Sequence, residues 1–363
     1  MTEGPATRKE MGTAFRRLVQ LRIWLGERLR FTELQATLAW AALIGVAGAW
    51  TSIGFKEATE WLHQLFTGNR ESYVESFREM ETWRRLFVPT LGGLLAGITL
   101  LWGSRYKAPA NTSDYMEAVV VGDGNLAVRP SLVKSVSAWF SSASGASIGR
   151  EGPLVQLSSL VASVAGRVFH FPLARKRQLV ACGAAAGIAS AYNAPIAGAF
   201  FVAEIVLGSV AMESFGPLVI SSVVATLITR AHYGPEALYA APSLHFPTDS
   251  RLLLYLAPGL VSGLLVPGFL SLLKGGERAF SVLKLPAPLR LALGGLIVGA
   301  LAVLHPEVAG NGRSLVFSVL HHPGTWQVLA VILACKLLAT AATFGSGAGG
   351  GVFAGRDRPH VRR

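Results

Sequence analysis

The chain has 363 residues, of which 51% are hydrophobic and only 15% are charged, and its mean hydropathy is +0.45. Soluble globular domains carry about 25% charged residues, so this composition indicates a membrane protein. The net charge of +12 does not point to nucleic acid, because the basic residues flank apolar segments and no stacking aromatic side chains are interleaved with them.

The N-terminal segment, residues 1–35, is predicted to be cytoplasmic. Within FRRLVQLRIWLGERLRF, leucines recur at helical spacing among arginines, which is typical of an amphipathic helix on a membrane surface. No apolar stretch followed by a small-residue cleavage site occurs there, so we expect no signal peptide. The cluster of basic residues places this end on the cytoplasmic side by the positive-inside rule.

Two membrane spans are predicted next. The apolar run 36–55 is long enough to cross a bilayer, a polar loop is expected over 67–85, and 86–103 is the second span. Arg105 and Lys107 follow the second span, which returns the chain to the cytoplasmic side after two crossings.

From residue 135 onward the apolar segments become shorter and rich in glycine. Several are too short to cross about 30 Å of hydrocarbon, and segments broken by Gly or Pro are typical of a transporter site built from half-helices. Close helix packing is the alternative reason for the glycines. No barrel-type alternation recurs, so we predict an all-α polytopic membrane protein. The segments are 135–148, 152–166, 179–191, 196–203, 214–229, 252–273, 291–304 and 328–344.

The motif GREGP, residues 149–153, places charge at the start of an apolar run. Gly149 is expected to permit an unusual backbone angle, and Pro153 suits the first turn of a helix that runs to about Gly166. Glu151 then lies at the helix N-terminus, where free N–H groups and the helix dipole form an anion site. The alternatives are a buried charge balance between Arg150 and Glu151 and a simple charge at the helix N-terminus.

A second glycine-rich break lies in CGAAAGIASAYNAPIAGAFFVAEI, residues 182–205. Asn193 and Pro195 divide one apolar run into two half-spans, and Glu204 ends the second. Taken alone, Glu204 is better interpreted as a carboxylate that snorkels to the membrane interface.

A third break, TFGSGAGGGVFAG, covers residues 343–355. Its glycines leave the amides of Val352 and Phe353 open to close approach by a ligand. Flexible linkers have a similar composition, but the position directly after a long apolar segment favours a place at membrane depth. The two cysteines lie in apolar runs, and neither a disulfide framework nor a metal-ligand spacing is present.

Together, GREGPLVQ, GAAAGIASAYNAPIAGAFFVAE and GSGAGGGVFA resemble the CLC family of voltage-gated chloride channels and chloride/proton exchangers, over about residues 36–354. The resemblance implies a homodimer in membrane lipid, with a pore in each subunit and two inverted repeats of membrane helices. Here the repeats would be about 36–235 and 250–354. Chloride is the implied substrate, and no cofactor is expected.

The resemblance also implies roles for individual residues. Glu151 would be the gating glutamate, whose carboxylate occupies an anion site until it is protonated or displaced. The amides of Val352 and Phe353 would bind chloride. The implied selectivity filter consists of Gly149, Arg150, Glu151, Gly152 and Pro153.

The chain departs from the family pattern in two filter-related places. The first filter stretch, usually Gly-Ser-Gly-Ile-Pro, is replaced by NTSDYMEAV, so the chloride-binding hydroxyl would belong to Thr112 or Ser113. Exchangers often carry two adjacent glutamates; here Glu204 matches the first and Ile205 replaces the second. This pattern is typical of a channel, or of an exchanger with another proton route for which Glu204 is a possible internal relay.

The third departure is the basic stretch GRDRPHVRR, residues 355–363, which replaces an expected proline and apolar helix. This tail predicts a C-terminally truncated family member with an incomplete second repeat. Two functions follow: chloride transport as a channel or chloride/proton antiporter in a bacterial-type inner membrane, or a non-conducting remnant. A membrane enzyme is not expected, because no catalytic motif accompanies Glu151.

Overall fold

The computed structural model describes residues 33–69, 72–105, 114–208, 212–235, 250–321 and 324–349. The chain divides into a short unit, residues 1–40, and a large unit, residues 41–363. In the short unit the described residues, 33–40, are helical, and the predicted amphipathic helix lies outside the described residues.

All regular structure in the described ranges is helical, which confirms the predicted all-α class. Short 3-10 turns cover Ser250–Tyr255 and Pro306–Val308, and a π-helical turn covers Val202–Val206. The α-helices are α1 (Glu33–Thr67), α2 (Tyr73–Glu79), α3 (Thr82–Ser104), α4 (Tyr115–Val120), α5 (Val128–Ala143), α6 (Glu151–Val168), α7 (Leu173–Tyr192), α8 (Pro195–Phe201), α9 (Met212–Tyr233), α10 (Leu256–Val282), α11 (Ala287–Leu304), α12 (Arg313–His321) and α13 (Trp326–Ser346).

Six of the described helices are long and apolar enough to cross a membrane: Glu33–Thr67, Thr82–Ser104, Ser214–Tyr233, Leu253–Val282, Ala287–Leu304 and Trp326–Ser346. The predicted spans 36–55 and 86–103 are the apolar parts of the longer α1 and α3. The prediction of one loop over 67–85 is wrong, because this stretch contains α2 and the start of α3. α2 forms because the Ser72 side chain accepts a hydrogen bond from the Glu75 amide and caps the helix N-terminus.

A glycine seam joins α3 to α11. A Cβ on Gly97 would lie 2.6 Å from the carbonyl oxygen of Ala287, and a Cβ on Gly299 would lie 2.7 Å from that of Arg85. Gly93 and Gly295 approach the partner helix equally closely. Each helix therefore contributes a GxxxG pair, and small residues at this spacing allow the two backbones to touch. One helix comes from each of the two predicted repeats.

α6 and α7 lie side by side for the same reason. A Cβ on Gly183 would lie 2.6 Å from the Ser158 carbonyl oxygen, and a Cβ on Gly187 would lie 3.0 Å from the Cα of Val155. The alanine- and serine-rich faces of both helices are buried. This close packing fixes the N-terminus of α6 next to the C-terminus of α7, where the candidate site lies.

Candidate functional site

The α6 N-terminus carries the GREGP motif. The helix begins at Glu151 and ends at Val168, which confirms the predicted start at the Gly-Pro pair. Arg150 occupies the N-cap position and makes no side-chain capping bond. Among the described residues, the amides of Gly149 and Arg150 have no backbone acceptor. Together with the first-turn amides of Glu151 and Gly152, they present successive donors of the kind that binds anions at helix N-termini.

Gly149 leaves room for the Glu151 carboxylate. The expected unusual backbone angle is wrong, because the φ of Gly149 is not positive. A Cβ at this position would instead collide with Oε2 of Glu151 and lie 2.9 Å from its Cδ. The carboxylate therefore folds back over the Gly149 Cα, toward the residues that precede α6.

Arg150 does not balance the charge of Glu151. Its Nη1 lies 3.8 Å from Oε1 of Glu60, on α1, and its guanidinium carbon lies 5.8 Å from the ring centroid of Tyr73. The predicted alternative of an Arg150–Glu151 charge balance is therefore wrong, since the arginine turns toward α1 and α2.

Glu151 opens into a cleft of about 490 Å³. Lys56, Arg150 and Arg313 line the cleft, and Glu151 is the only acidic residue among the described residues that line it. A cleft lined by an excess of one charge focuses the electrostatic field and concentrates ions of opposite sign. This cleft therefore attracts anions toward the start of α6. Its lining also includes hydroxyl and amide side chains: Ser52, Ser190, Asn193, Thr229, Tyr233 and Asn311.

The second motif reaches the same cleft. α7 ends at Tyr192, Asn193 adopts the left-handed conformation with φ of 55°, and Pro195 begins α8. Arg230 on α9 fixes the turn by donating from Nε to Oδ1 of Asn193 over 2.7 Å and from Nη2 to its backbone oxygen over 3.3 Å. The predicted break is confirmed.

Glu204 lies away from this cleft. It belongs to the π-helical turn after α8 and is exposed, and it follows Asn193 by 11 residues, or about 16 Å of helix. Ile205 beside it is 45% exposed. Of the two glutamates singled out in the sequence, only Glu151 lines the cleft.

The third motif is described only up to Gly349. Gly347, with φ of 96°, ends α13 in the left-handed conformation. A Cβ on Gly349 would lie 3.5 Å from that of Ala138, so the stretch runs beside α5. The predicted chloride ligands Thr112, Ser113, Val352 and Phe353 and the tail 355–363 lie outside the described residues.

Several cleft residues were not predicted from the sequence. Lys56 and Tyr233 belong to α1 and α9, and the Lys56 ammonium lies 3.4 Å from the Tyr233 ring centroid. Arg313 begins α12, a helix that the sequence did not predict. Charged residues that interrupt apolar runs were the available signal, but spacing along the chain does not indicate which of them meet. No group of three or more metal-binding side chains occurs in the part of the chain that the structure describes.

Comparison with known proteins shows similarity to chloride transport proteins. A family model described as voltage gated chloride channel matches residues 92–355. A ClcB-like chloride channel protein of Ralstonia nicotianae is 51% identical over 320 residues, which cover 87% of this chain and 75% of that protein. The voltage-gated ClC-type chloride channel ClcB of Salmonella dublin is 42% identical over 318 residues, which cover 86% and 76%.

Solved structures with the same fold include two antiporters. A slow cyanobacterial Cl−/H+ antiporter aligns with a TM-score of 0.72 at 24% identity, over 87% of this chain and 75% of that one. A CLC-type fluoride/proton antiporter aligns with a TM-score of 0.72 at 22% identity, over 88% and 78%. At this identity the two alignments show the CLC fold.

Proposed function

Because the chain belongs to the voltage-gated chloride channel family, whose members transport ions and are not enzymes, we propose that Glu151 gates chloride movement through the cleft at the start of α6. The observation that carries this proposal is that the Glu151 carboxylate folds over Gly149, in a cleft lined by three basic side chains, while the amides of Gly149 and Arg150 have no backbone acceptor among the described residues. A carboxylate and a chloride ion need the same donors, so they compete for one place.

The gating step follows from that competition. While Glu151 is ionised, its carboxylate occupies the region of the amide donors and the helix dipole, which carries about half a positive charge. Protonation removes its negative charge, and a chloride ion drawn in by Lys56 and Arg313 then binds the donors in its place. Because Gly149 has no Cβ, the Glu151 carboxylate can occupy the place over its Cα.

Proton coupling is proposed to be weak. Ile205 has no group that can carry a proton, and Glu204 is exposed about 16 Å of helix away from the turn at Asn193. We place the protein in this respect closer to a channel than to an exchanger with a fixed ratio. A chloride gradient that drives protons at a constant stoichiometry in proteoliposomes, both with and without the Glu204→Gln substitution, would contradict this assignment.

The assembly and location follow the family resemblance. We propose a homodimer with one pore per subunit, in a bacterial-type inner membrane with the N-terminus cytoplasmic. The basic N-terminal residues and the six membrane-crossing helices of the described part support this orientation and setting. Crosslinking in native membranes tests the dimer, and a reporter fused to the N-terminus tests the orientation.

The Glu151→Gln variant tests the gate. Glutamine keeps the size of the side chain but has no charge to titrate, so chloride flux in proteoliposomes should lose its dependence on pH. The exposed Glu79 provides a matched control, since Glu79→Gln removes a carboxylate that does not line the cleft. Retention of the wild-type pH profile by the Glu151 variant would remove this residue from the gate.

A further inference from the structure

Lys336 is the only charged residue of α13, a helix that is otherwise apolar and long enough to cross a membrane. A charged side chain inside a membrane-crossing helix is costly, and in most cases it has a polar partner and marks a functional site. Lys336 does not line the cleft that contains Glu151, so it does not contact an anion there directly. Any role in transport therefore depends on the groups that it contacts.

The Lys336 ammonium binds two carbonyl oxygens of one turn. Its Nζ donates to the Val308 oxygen over 2.7 Å and to the Gly310 oxygen over 2.6 Å. Hydrogen bonds from a charged donor are stronger than those between neutral groups, so two of them hold this turn firmly against α13. Among the described residues no carboxylate lies within ion-pair distance of Lys336, so these carbonyls are the groups that meet its charge.

Local sequence does not fix the conformation of the turn, residues 308–312. Gly310 and Gly312 have φ of 71° and 87°, in the left-handed region, and glycine adopts this region about as readily as the others. The 3-10 turn Pro306–Val308 precedes this stretch, and α12 begins after it, at Arg313. Contacts with other segments therefore decide where the turn lies.

The turn is held from two sides. On one side the Gly310 amide donates to the Gly145 carbonyl oxygen over 3.0 Å. On the other side are the two hydrogen bonds from Lys336, and a Cβ on Gly312 would lie 3.5 Å from the Lys336 Cε, so the lysine stem runs beside the turn. The turn therefore lies between α13 and the segment that leads to the GREGP motif.

Asn311 and Arg313 link the position of the turn to the cleft. Both residues line the cleft of about 490 Å³ that contains Glu151. The Arg313 amide donates to the Asn311 Oδ1 over 3.2 Å, so the start of α12 is tied to the turn. A shift of the turn away from α13 would therefore move the base of the Arg313 side chain relative to Glu151.

We propose that Lys336 is a positioning residue for anion entry, because its ammonium holds the turn 308–312 and thereby keeps Arg313 at the cleft of Glu151. This role rests on the proposed chloride transport through that cleft. A basic side chain at a cleft concentrates anions, so the position of Arg313 affects how readily chloride is captured. The passage of an ion that is already bound does not depend on this capture, so the maximum flux should change little.

Chloride flux in proteoliposomes, measured at one pH over a range of chloride concentrations, separates capture from passage. Lys336→Met keeps the bulk of the side chain but cannot donate a hydrogen bond. The half-saturating chloride concentration should rise about tenfold, the lower end of the effect of electrostatic focusing, while the maximum flux should change less than about twofold. Lys336→Arg can donate to both carbonyls and should restore the half-saturating concentration of the wild type.

A double-mutant cycle with Arg313→Gln shows whether the lysine acts through the arginine. Arg313→Gln should raise the half-saturating concentration by a similar factor, and the addition of Lys336→Met should then change it less than about twofold. Val180→Ala is the control for loss of stability alone, since Val180 is fully buried in α7 and does not line the cleft. This variant should melt at a lower temperature and keep the wild-type half-saturating concentration.

A crystal structure of the Lys336→Met variant shows the position of the turn independently of transport. Residues 308–312 should move away from α13, because the two hydrogen bonds that hold them there are lost. If the methionine variant does not fold, Lys336→Gln takes its place. Its amide is an uncharged and shorter donor, so the half-saturating concentration should lie between those of the wild type and Arg313→Gln.

Three results would overturn the role of Lys336. The turn could keep its place in Lys336→Met, the half-saturating concentration could stay unchanged in this variant although Arg313→Gln raises it, or the two increases could multiply in the double variant. A turn that moves while Arg313→Gln keeps the wild-type value would instead remove the cleft from the anion path, which is a failure of the proposed function. The Glu151 gate is tested by the pH profile of flux, so its failure is distinguishable from both.

Discussion

Replacing Gly149 by alanine should release the gate without unfolding the protein. The new Cβ would lie 2.9 Å from the Glu151 Cδ and would collide with Oε2, so the carboxylate has to move. Carbon and oxygen need roughly 3.5 Å of separation, which requires a shift of at least about 1 Å. In the proposed gate an amide holds the ionised carboxylate at an ordinary hydrogen-bond distance of about 2.9 Å, and this shift would lengthen that distance to near 4 Å.

The loss of one hydrogen bond to the ionised carboxylate costs about 1.5–3 kcal/mol. The equilibrium between the carboxylate bound at the amide donors and the displaced carboxylate then shifts roughly ten- to hundredfold toward the displaced form. We therefore expect chloride flux at pH 7 to rise toward its value at pH 4.5, with the ratio between the two falling at least about tenfold. The fold should be unaffected. Gly149 has no positive φ, so alanine fits the backbone. The displaced Glu151 side chain is strained by about 1 kcal/mol. Alanine also lowers the entropy of the unfolded chain, which offsets this strain.

The assay is chloride efflux from proteoliposomes at pH 4.5 and pH 7, with a melting curve of the same preparation. Gly54→Ala is the matched control, because a Cβ at Gly54 meets no atom within 4 Å and should change neither the flux ratio nor the gate. A folded Gly149→Ala variant with the wild-type flux ratio would refute the role given to this space. A fall of many degrees in its melting temperature would show that Gly149 is also needed for the stability of the fold, which would contradict a role in the gate alone.

Three further predictions concern stability and are measured by thermal melting in detergent. Burial alone would raise the pKa of Glu307, but the hydrogen bond from Arg78 outweighs burial and lowers this pKa. The pair therefore stabilises the fold at neutral pH, and this stabilisation is lost as pH falls through the folded-state pKa of Glu307. Glu307→Gln should cost about 1 kcal/mol at pH 7 and nothing once Glu307 is protonated in both states; an equal cost at both pH values would contradict the pairing. Gly97→Leu should cost about 3 kcal/mol or more, since its side chain meets backbone atoms of α11 that cannot turn aside, and a melting temperature equal to wild type would disprove the seam. Asn193→Val should cost about 1–2 kcal/mol because a β-branched residue disfavours the left-handed conformation, and Asn193→Gly should cost less; the reverse order would show that the side-chain bond to Arg230 outweighs the backbone angle.

The sequence predicted the long apolar helices and the breaks between half-helices well. Hydrophobic runs identify buried or lipid-facing helices directly, and the Asn193 turn and the start of α6 at Glu151 follow from local backbone preferences. Element ends were less accurate, because polar first and last turns, such as Glu33 at the start of α1, extend helices beyond their apolar parts. α2 and α12 were missed, since both are short and polar and are stabilised by capping and by tertiary contacts.

The candidate site was predicted in its main residue but not in its surroundings. Glu151 and Gly149 follow from one motif, although the role of Gly149 depends on a side chain two residues away and not on its own φ. Lys56, Arg150 and Arg313 come together only through the packing of α1, α6 and α12. Such long-range proximity has no counterpart in local spacing, which is also why a charge balance between Arg150 and Glu151 stood as an alternative.

The glycine seam between α3 and α11 bears on how fast the protein can work. Where two helices touch through their backbones, no side chain lies between them to rotate, so relative sliding of the helices would force Cα atoms into carbonyl oxygens. The two helices, one from each predicted repeat, are then expected to keep a fixed separation through a transport event. Large rigid-body rearrangements take microseconds to milliseconds, whereas an accessible side chain changes rotamer in picoseconds to nanoseconds. We therefore expect the arrival of a proton or an anion at Glu151, and not a slow movement of one half of the molecule against the other, to limit turnover.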